Sequence, residues 1–323
     1  MISGNRLRVQ VGKETTYGVV ATGQYQIKVS SEGFKLKLNK KDEGVLTGGK
    51  TSGIVATMSK STEGTLAFLA RPDDIGLFLK ACLGIEDAPT LVQGSSNAYK
   101  HTFKAIGTSL TDHLPSLTVL IDRIAQVLAY NGCKVQSLAF SAAPEDFLKI
   151  DANFVGKDES SGTLATLTPS LLKAFKFHKG KVKINAVEYA DVTSIKFNYN
   201  NNLINNLQTT GTGLYFYEPE VGTREITAEL EVLFNASSIN FRNSYYLTDN
   251  DLSLELEFTS EENIEPGYPY KLIITIPHMQ VNETNPTIGG GDVVKQTIAL
   301  KAIEVGSDEL ITIDLINSKQ TAY

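Results

Sequence analysis

The stretch GTLAFLARPDDIGLFLKACLG (64–84) joins an alternating strand to an amphipathic helix. Its first part has apolar side chains at every second position, which is the period of a half-buried β-strand. Pro72 suits the first turn of a helix, and Asp73 and Asp74 suit the positive end of the helix dipole. Gly84 is a natural helix stop. The predicted core face of this helix follows the spacing i, i+3, i+4, i+7, i+8 and consists of Ile75, Phe78, Leu79, Cys82 and Leu83.

Period-two patterns of the same kind run along the rest of the chain. FKLKLNK (34–40) and LSLELEF (252–258) alternate apolar with polar or charged residues. KFHKGKVKINAVEY (176–189) alternates on both sides of a Lys-Gly pair, which predicts a hairpin turn at that pair. Clusters of Gly, Asn, Asp and Ser separate these short segments. The pattern predicts a mainly β, mostly antiparallel protein.

The strand-then-helix design occurs a second time. ITAELEVLFNASSINF (226–241) is an alternating strand that leads through a polar cap into a weaker helix, predicted at 237–246. Asn235 or Ser237 is the expected N-cap. The interval from Leu233 to Ile239 in this segment equals the interval from Leu69 to Ile75 in the first.

Three further segment pairs recur in the same order along the chain. They are 33–42 with 194–203, 114–122 with 268–277, and 145–154 with 308–317. Chance similarity between alternating strands is the alternative, but four matches in order favour a tandem duplication. We therefore predict two domains, 1–160 and 161–323, joined through the polar segment 157–170.

Composition limits the function classes. The chain has 323 residues, with Lys+Arg 30 against Asp+Glu 36 and a net charge of -6, which disfavours a general nucleic-acid binder. No apolar run approaches the roughly 18 residues of a membrane span, and no signal peptide is visible. Residues 1–160 carry a net charge of +2 and the remainder -8, which suggests that the two copies occupy unlike positions in an assembly.

Patterns of catalytic or metal-binding residues are missing from the sequence. The chain has two cysteines and four histidines, none at metal-ligand spacing, and neither a GxSxG nor an HExxH motif. GGG at 289–291 is interpreted as a turn, and Asp73–Asp74 and Glu145–Asp146 as caps or turns. We predict no enzymatic activity, no cofactor and no metal. The side chains with reactive groups receive structural roles: His101 and His113 at the surface, Cys82 in the core, and Cys133 beside a turn.

Two long loops stand at corresponding places in the repeat, 39–60 and 200–225. Loops of this length in a compact β domain are uncommon unless they are functional or disordered. Both carry apolar residues, which favours contact with a partner over plain disorder. These apolar residues are Val45, Leu46, Ile54 and Val55 in the first loop, and Leu203, Ile204, Leu214, Tyr215, Phe216 and Tyr217 in the second.

The first 155 residues resemble the tail tube proteins of long-tailed bacteriophages. The segments that carry the resemblance are KETTYGVVAT (13–22), FKLKLNKKDEGVLTGGKTSG (34–53), STEGTLAFLARPDDIGLFLKACLG (61–84), LPSLTVLIDR (114–123) and YNGCKVQSLAFSA (130–142). These are patterns of structural residues in a fixed order, and the second half follows through the internal repeat.

The resemblance implies a β-sandwich or barrel with a flanking helix, in subunits whose strands join into a continuous inner barrel. Rings stack through a long loop into a hollow tube that conducts DNA into the host without binding it specifically. The duplication places this chain with the long members of the family, in which three chains form a pseudo-hexameric ring. The inter-ring contacts expected from the two loops are Lys40, Lys41, Asp42, Glu43, Val45, Leu46, Lys50, Ile54, Leu203, Ile204, Leu214, Tyr215, Phe216 and Tyr217.

The resemblance also implies a location and partners. The protein is expected in the virion tail after assembly in the bacterial cytoplasm, with a tape measure protein, a tail terminator and a distal tail protein as partners and with no membrane. A net acidic chain predicts that carboxylates outnumber lysines on the lumen wall. A carbohydrate-binding or adhesive β-sandwich, and the tube of a phage-like injection machine, remain alternative functions.

Overall fold

The computed structural model describes residues 6–44, 54–107, 112–287 and 293–323. Strands account for 53% of the residues and helices for 7%, so the mainly β prediction is confirmed. The GGG segment at 289–291 lies outside the described residues.

Within the described part of the first half of the chain there are twelve strands and one α-helix. The strands are β1 (Arg8–Lys13), β2 (Tyr25–Ile27), β3 (Val29–Glu32), β4 (Lys35–Asp42), β5 (Val55–Leu69), β6 (Gly84–Glu86), β7 (Thr90–Leu91), β8 (Tyr99–Ala105), β9 (Leu117–Asp122), β10 (Val127–Ala142), β11 (Lys149–Gly156) and β12 (Asp158–Ser161). The helix, α1 (Ile75–Leu83), lies between β5 and β6.

The second half contains eight strands and two short helical segments in its described ranges, 161–287 and 293–323. The strands are β13 (Gly180–Ile184), β14 (Val187–Glu188), β15 (Val192–Asn200), β16 (Glu225–Leu233), β17 (Leu252–Glu265), β18 (Tyr268–Thr287), β19 (Lys295–Ala302) and β20 (Thr312–Asn317). A 3₁₀ turn covers Phe177–Lys179, and a π-helical segment covers Phe241–Tyr246.

Eight antiparallel strands form what we call the main sheet, in the order β4-β5-β11-β10-β15-β16-β19-β18. Two of its strands, β10 with 16 residues and β18 with 20, extend past the ends of their neighbours and continue into a second layer. There β10 pairs with β9 and β12, and β18 pairs with β17 and β20. Among the described residues, these pairings do not close into a barrel within one chain. The two layers enclose one apolar core that runs through both halves.

The same pairing pattern occurs once in each half. In the first half β1 pairs with β2 and β9, β9 with β10, β10 with β11 and β12, β11 with β5, and β5 with β4. In the second half β13 pairs with β14 and β17, β17 with β18, β18 with β19 and β20, β19 with β16, and β16 with β15. Even a bulge recurs, because Gln136 in β10 and Asn282 in β18 are both skipped by the neighbouring strand. Each half therefore supplies four strands to the main sheet.

The repeat found in the sequence agrees with this pattern only in part. The pair 64–79 and 226–241 corresponds to β5 and β16 in the alignment that the sequence indicated. The pair 33–42 and 194–203 corresponds to β4 and β15, but the strand pairings shift this alignment by two positions. The other two matches are wrong, since 114–122 is β9 whereas 268–277 lies in β18, and 145–154 contains β11 whereas 308–317 contains β20. Alternating strands look alike, and unequal loops hid the true correspondence.

The first helix is confirmed, and all five residues of its predicted face are buried. It begins at Ile75 rather than near Pro72, with Asp74 as its N-cap, and ends at Leu83, with Gly84 (φ 94°) as its C-cap. The second predicted helix is wrong in type, since it is π-helical over Phe241–Tyr246. Its N-cap is Asn240 rather than Asn235 or Ser237, although the Asn235 side chain accepts hydrogen bonds from the amides of Ser237 and Ser238 in the turn that precedes it.

Two further sequence predictions are wrong. The hairpin between β13 and β14 turns at Asn185 and Ala186, both with positive φ, and the predicted Lys-Gly pair instead ends the 3₁₀ turn. His101 is fully buried rather than at the surface. Its ring bonds to Glu86 at 2.8 Å and to the carbonyl of Lys319 at 2.9 Å, which satisfies both nitrogens inside the protein.

Candidate assembly surfaces

One face of the main sheet is polar across all eight strands, while the other face lies on the core. The alternation of side chains along each strand separates the two faces, and the pairing register aligns the polar positions from strand to strand. One such row runs Ala67, Asp151, Ala139, Asn198, Thr227. The charged residues on this face, apart from Lys41 at the far end of β4, are Lys35, Lys37, Lys149, Lys196, Lys295, Lys301, Glu63, Asp151, Glu225, Glu229, Glu231 and Glu283.

Apart from Lys41, lysines and carboxylates on this polar face are equal in number, and most of them pair across strands. Nζ–Oε distances are 3.0 Å for Lys35–Glu63, 2.7 Å for Lys196–Glu229, 2.9 Å for Lys295–Glu231 and 3.1 Å for Lys301–Glu225. Such exposed pairs contribute only about 0–1 kcal/mol each to stability. Their larger effect is on the surface potential, because each lysine lies next to a compensating charge.

The main sheet has two free edges. At one end β4 pairs only with β5, and at the other the segment 280–287 of β18 pairs only with β19, as far as the described residues extend. An edge strand exposes a row of unpaired backbone N–H and C=O groups, which can template pairing with another chain. These edges are therefore candidate contacts between subunits.

The residues predicted in the first long loop lie where β4 and β5 extend beyond their neighbours. Lys40, Lys41 and Glu43 are exposed, and Asp42 is half-buried. Ile54 is 70% exposed, and Val55 and Met58 beside it are also exposed. Val45, Leu46 and Lys50 lie outside the described residues. This hairpin end therefore presents apolar side chains to solvent.

The second long loop folds back onto the first half of the chain. Lys60 in β5 forms a bridge with Tyr215 and donates its amide to the carbonyl of Leu214 at 2.8 Å. The Tyr215 hydroxyl donates to Asp158 at 2.6 Å, which raises the pKa of that phenol. Gln208 donates to the carbonyl of Met58 at 3.0 Å. The two predicted loops are thereby brought together on one side of the molecule.

Burial divides the predicted residues of this second loop. Leu203 is buried in a small cluster with Ile106 and Leu114, so its side chain is already used within the chain. Ile204, Leu214 and Tyr217 are exposed, and Tyr215 and Phe216 are half-buried. Leu207, which the sequence analysis did not select, is also exposed.

Lys134, which was not predicted from the sequence, anchors this loop. Lys134 in β10 is 1% exposed, and its ammonium group donates to the Pro219 carbonyl and contacts a Glu218 carboxylate oxygen, both at 2.8 Å. A lysine in the alternating run YNGCKVQSLAF looks like a solvent-facing residue. The bulges at residues 131–132 and 136 turn it inward, which no local pattern predicts.

The reactive cysteine and histidine side chains are either buried or engaged in polar contacts. Burial raises the pKa of the Cys82 and Cys133 thiols, so neither forms a thiolate at neutral pH. His113 is exposed, and its ring lies 3.2 Å from Glu220. No helix among the described residues is long and apolar enough to cross a membrane.

Comparison with known proteins gives one strong result. A family model described as "Phage tail tube protein" matches residues 4–302, which is nearly the whole chain. No curated protein matches the sequence. On the strength of the match, the chain belongs to the phage tail tube protein family, and is a structural subunit of a phage tail.

Proposed function

We propose that the chain consists of two tandem tube domains, 1–160 and 161–323, and that three chains form a pseudo-hexameric ring. The pairing pattern that occurs twice carries this proposal. Each domain contributes four strands to the main sheet, and equivalent strands carry equivalent bulges. A ring built from three such chains has six similar units, joined alternately within and between chains.

The polar face of the main sheet lines the lumen in this proposal. The opposite face packs on the core, so the polar face is the surface of the sheet open to a passing polymer. The acidic excess expected from the sequence is absent from it, since carboxylates do not outnumber lysines. A DNA phosphate would have to displace a paired carboxylate to reach most of these lysines, so counterion-driven binding is weak and DNA slides.

The strand count fits a conduit for duplex DNA. Eight strands from each of three chains give a wall of about 24 strands, with a circumference of about 115 Å at roughly 4.8 Å per strand. The wall is then about 37 Å across before strand tilt widens it. Side chains occupy about 5 Å on each side, which leaves about 27 Å or more. A B-form duplex passes through such a lumen.

Rings stack through the two loops. The apolar side chains exposed at the β4–β5 hairpin end and in the docked second loop lie on one side of the molecule, which suits contact with the next ring. We expect Ile54→Asp and Ile204→Asp to leave rings intact but to prevent stacking. Val187→Asp, at an exposed apolar position at the start of β14, is the matched control. Equal loss of stacking in all three variants would contradict this assignment.

The assembled tube conducts DNA into the host. We propose that it assembles in the host cytoplasm, with a tape measure protein in its lumen and with tail terminator and distal tail proteins at its two ends. The chain itself needs no cofactor in this role. A tube of a phage-like injection machine would use the same architecture.

Electron microscopy of the purified chain at increasing concentration tests the proposal. Hollow tubes whose rings contain three chains are expected, with near-sixfold views down the axis. Rings of six chains would retain the tube and overturn the three-chain arrangement. Compact monomers that bind glycans in an array assay would favour the adhesive alternative instead.

A further inference from the structure

The two halves of the chain are joined by a strand pairing whose register is known. In the main sheet β10 of the first half pairs with β15 of the second, with Ser137 opposite Asn200, Ala139 opposite Asn198, and Phe140 opposite Phe197. Because the two halves belong to one chain, this pairing shows directly how one repeat unit can join the next.

The free edges of the main sheet are made by the corresponding strands. By the repeated pairing pattern β18 corresponds to β10, and β4 corresponds to β15. Alignment through the shared bulge makes Glu283 in β18 the counterpart of Ser137 in β10. Alignment through β5 and β16 makes Lys37 in β4 the counterpart of Asn200 in β15.

We propose that β18 of one chain pairs antiparallel with β4 of a second copy in the register of the β10–β15 pairing. Glu283 then lies opposite Lys37 of the other copy, Asn285 opposite Lys35, and Pro286 opposite Phe34. This inference rests on the proposed tube, and it specifies which strands and which residues join its subunits.

Charge supports this register. Lys35 and Lys37 are exposed on β4, and Glu283 is exposed on β18. Within the chain, both lysines share the single carboxylate of Glu63, at 3.0 and 3.5 Å. The register places a second carboxylate opposite Lys37, so each lysine gains its own partner. The alignment used only backbone pairings, so this complementarity is an independent observation.

Backbone hydrogen bonding supports it as well. Gly33 donates to Thr65, so by the alternation of an antiparallel pair Phe34 and Leu36 direct their backbone groups to the free edge of β4. Phe234 donates to Val294, and the same alternation directs Thr284 and Pro286 to the free edge of β18. Leu36 and Thr284 then exchange hydrogen bonds across the contact.

Pro286 has no N–H to donate, and the register places it where no donor is needed. The Phe34 carbonyl already accepts a hydrogen bond from Arg123 at 2.7 Å, and the Phe34 amide donates to Glu32 at 3.0 Å. A shift of two residues would place Pro286 opposite Leu36, whose carbonyl would lose its donor. The proline therefore selects the register while it protects the edge from other strands.

Disulfide formation between paired cysteine substitutions tests the register in the full chain. Lys37→Cys with Glu283→Cys, and Lys35→Cys with Asn285→Cys, occupy non-hydrogen-bonded pairs with a Cα separation of about 4.5 Å, which a disulfide can bridge. Asn39→Cys with Asn285→Cys is the control, offset by four residues or about 13 Å. The native Cys82 and Cys133 are fully buried and do not interfere.

We expect both matched variants to cross-link between chains on mild oxidation, in a ladder that ends at a covalent trimer, and the control to remain uncross-linked. Stronger cross-linking in the control than in the matched variants would overturn the register. Tubes visible by electron microscopy without cross-links in the matched variants would overturn the strand pairing and leave the tube proposal intact. Chains that neither form tubes nor cross-link would overturn both.

Discussion

The ring of Tyr323 occupies the space where a side chain on Gly76 would stand. A Cβ added to Gly76 would lie far inside van der Waals distance of the tyrosine ring. Gly76 lies in α1 of the first half, whereas Tyr323 follows β20 of the second. The Tyr323 amide donates to Glu86, and Asn317 donates to its hydroxyl, so the ring is held in place on several sides.

Gly76→Ala is therefore expected to destabilise the protein by about 1–3 kcal/mol, the usual cost of an overpacked core. In a Tyr323→Ala background the same substitution should stabilise it by up to about 1 kcal/mol, because alanine favours the helix more than glycine does. Urea unfolding of the four proteins measures both effects. A destabilisation of the same size in both backgrounds would contradict the packing argument.

Asp74 is expected to limit stability at neutral and higher pH. Burial, with help from the neighbouring Asp73, raises its pKa from 3.8 to about 7, and its Oδ2 atom has no hydrogen-bond partner among the described residues. Because the folded protein favours the protonated Asp74 carboxyl, the contribution of this group to stability is complete below pH 3.8. It is lost as the pH rises from there through 7.

Asp74→Asn should stabilise the protein by about 4 kcal/mol at pH 8 and by less than half of that at pH 5. Urea unfolding at the two pH values measures the difference. Glu43→Gln, at an exposed position, is the control and should change little at either pH. A gain that does not depend on pH would show that Asp74 is ionised at no cost in the folded protein.

His278 should contribute to stability only while it is protonated. Its ring bonds to Asp308 at 3.0 Å and to Asp251 at 2.5 Å, and these two carboxylates raise its pKa above 6.5. Because the His278 pKa is higher in the folded state than in the unfolded state, its contribution to stability is complete below pH 6.5. That contribution is lost as the pH rises through the pKa of the folded protein.

NMR titration of the imidazole should give a His278 pKa above 6.5 in the native protein and a lower one in Asp308→Asn. His278→Gln should cost more stability at pH 6 than at pH 9. Equal costs at the two pH values would refute a role for the charged imidazole.

Lys134 should fix the second loop through a buried charge. In Glu218→Gln the Lys134 ammonium group keeps only the Pro219 carbonyl as a close partner among the described residues. We expect this change to lower the free energy of unfolding by about 3 kcal/mol. Lys134→Met with Glu218→Gln removes both charges and should recover most of that loss.

Urea unfolding, with hydrogen exchange of residues 203–220, follows both the stability and the docking of this loop. Lys181→Met with Glu188→Gln removes an exposed ion pair and is the control, expected to have little effect. If the single Glu218 variant is as stable as the native protein, the buried pair does not hold the loop.

Local periodicity predicted the elements of this fold better than their arrangement. The apolar face of α1 was correct in every residue because its spacing is set within two turns of helix. The matches of 114–122 and 145–154 failed because an alternating strand has no feature that identifies its partner. The bulges at Gln136 and Asn282 identify the correspondence, yet they are visible only once the strands are paired.

The residues predicted to lie in assembly contacts were likewise correct only where local sequence decides the exposure of a side chain. Ile54 and Ile204 were selected as apolar residues in polar loops, and both are exposed. Leu203 was selected for the same reason, but it packs against Ile106 and Leu114, which are distant in sequence. His101 was predicted at the surface and Lys134 was not selected at all, because both are polar residues held inside by partners that are distant in sequence.

The β10–β15 pairing has a consequence for how the proposed ring nucleates. Its two strands are tethered by about 50 residues, so they meet at an effective concentration far above that of free chains. In a three-chain ring, three of the six seams are thus closed when each chain folds, and association must close only the other three. Fewer encounters are needed for the first ring than with single-domain subunits, so the lag before tube growth should depend less steeply on protein concentration.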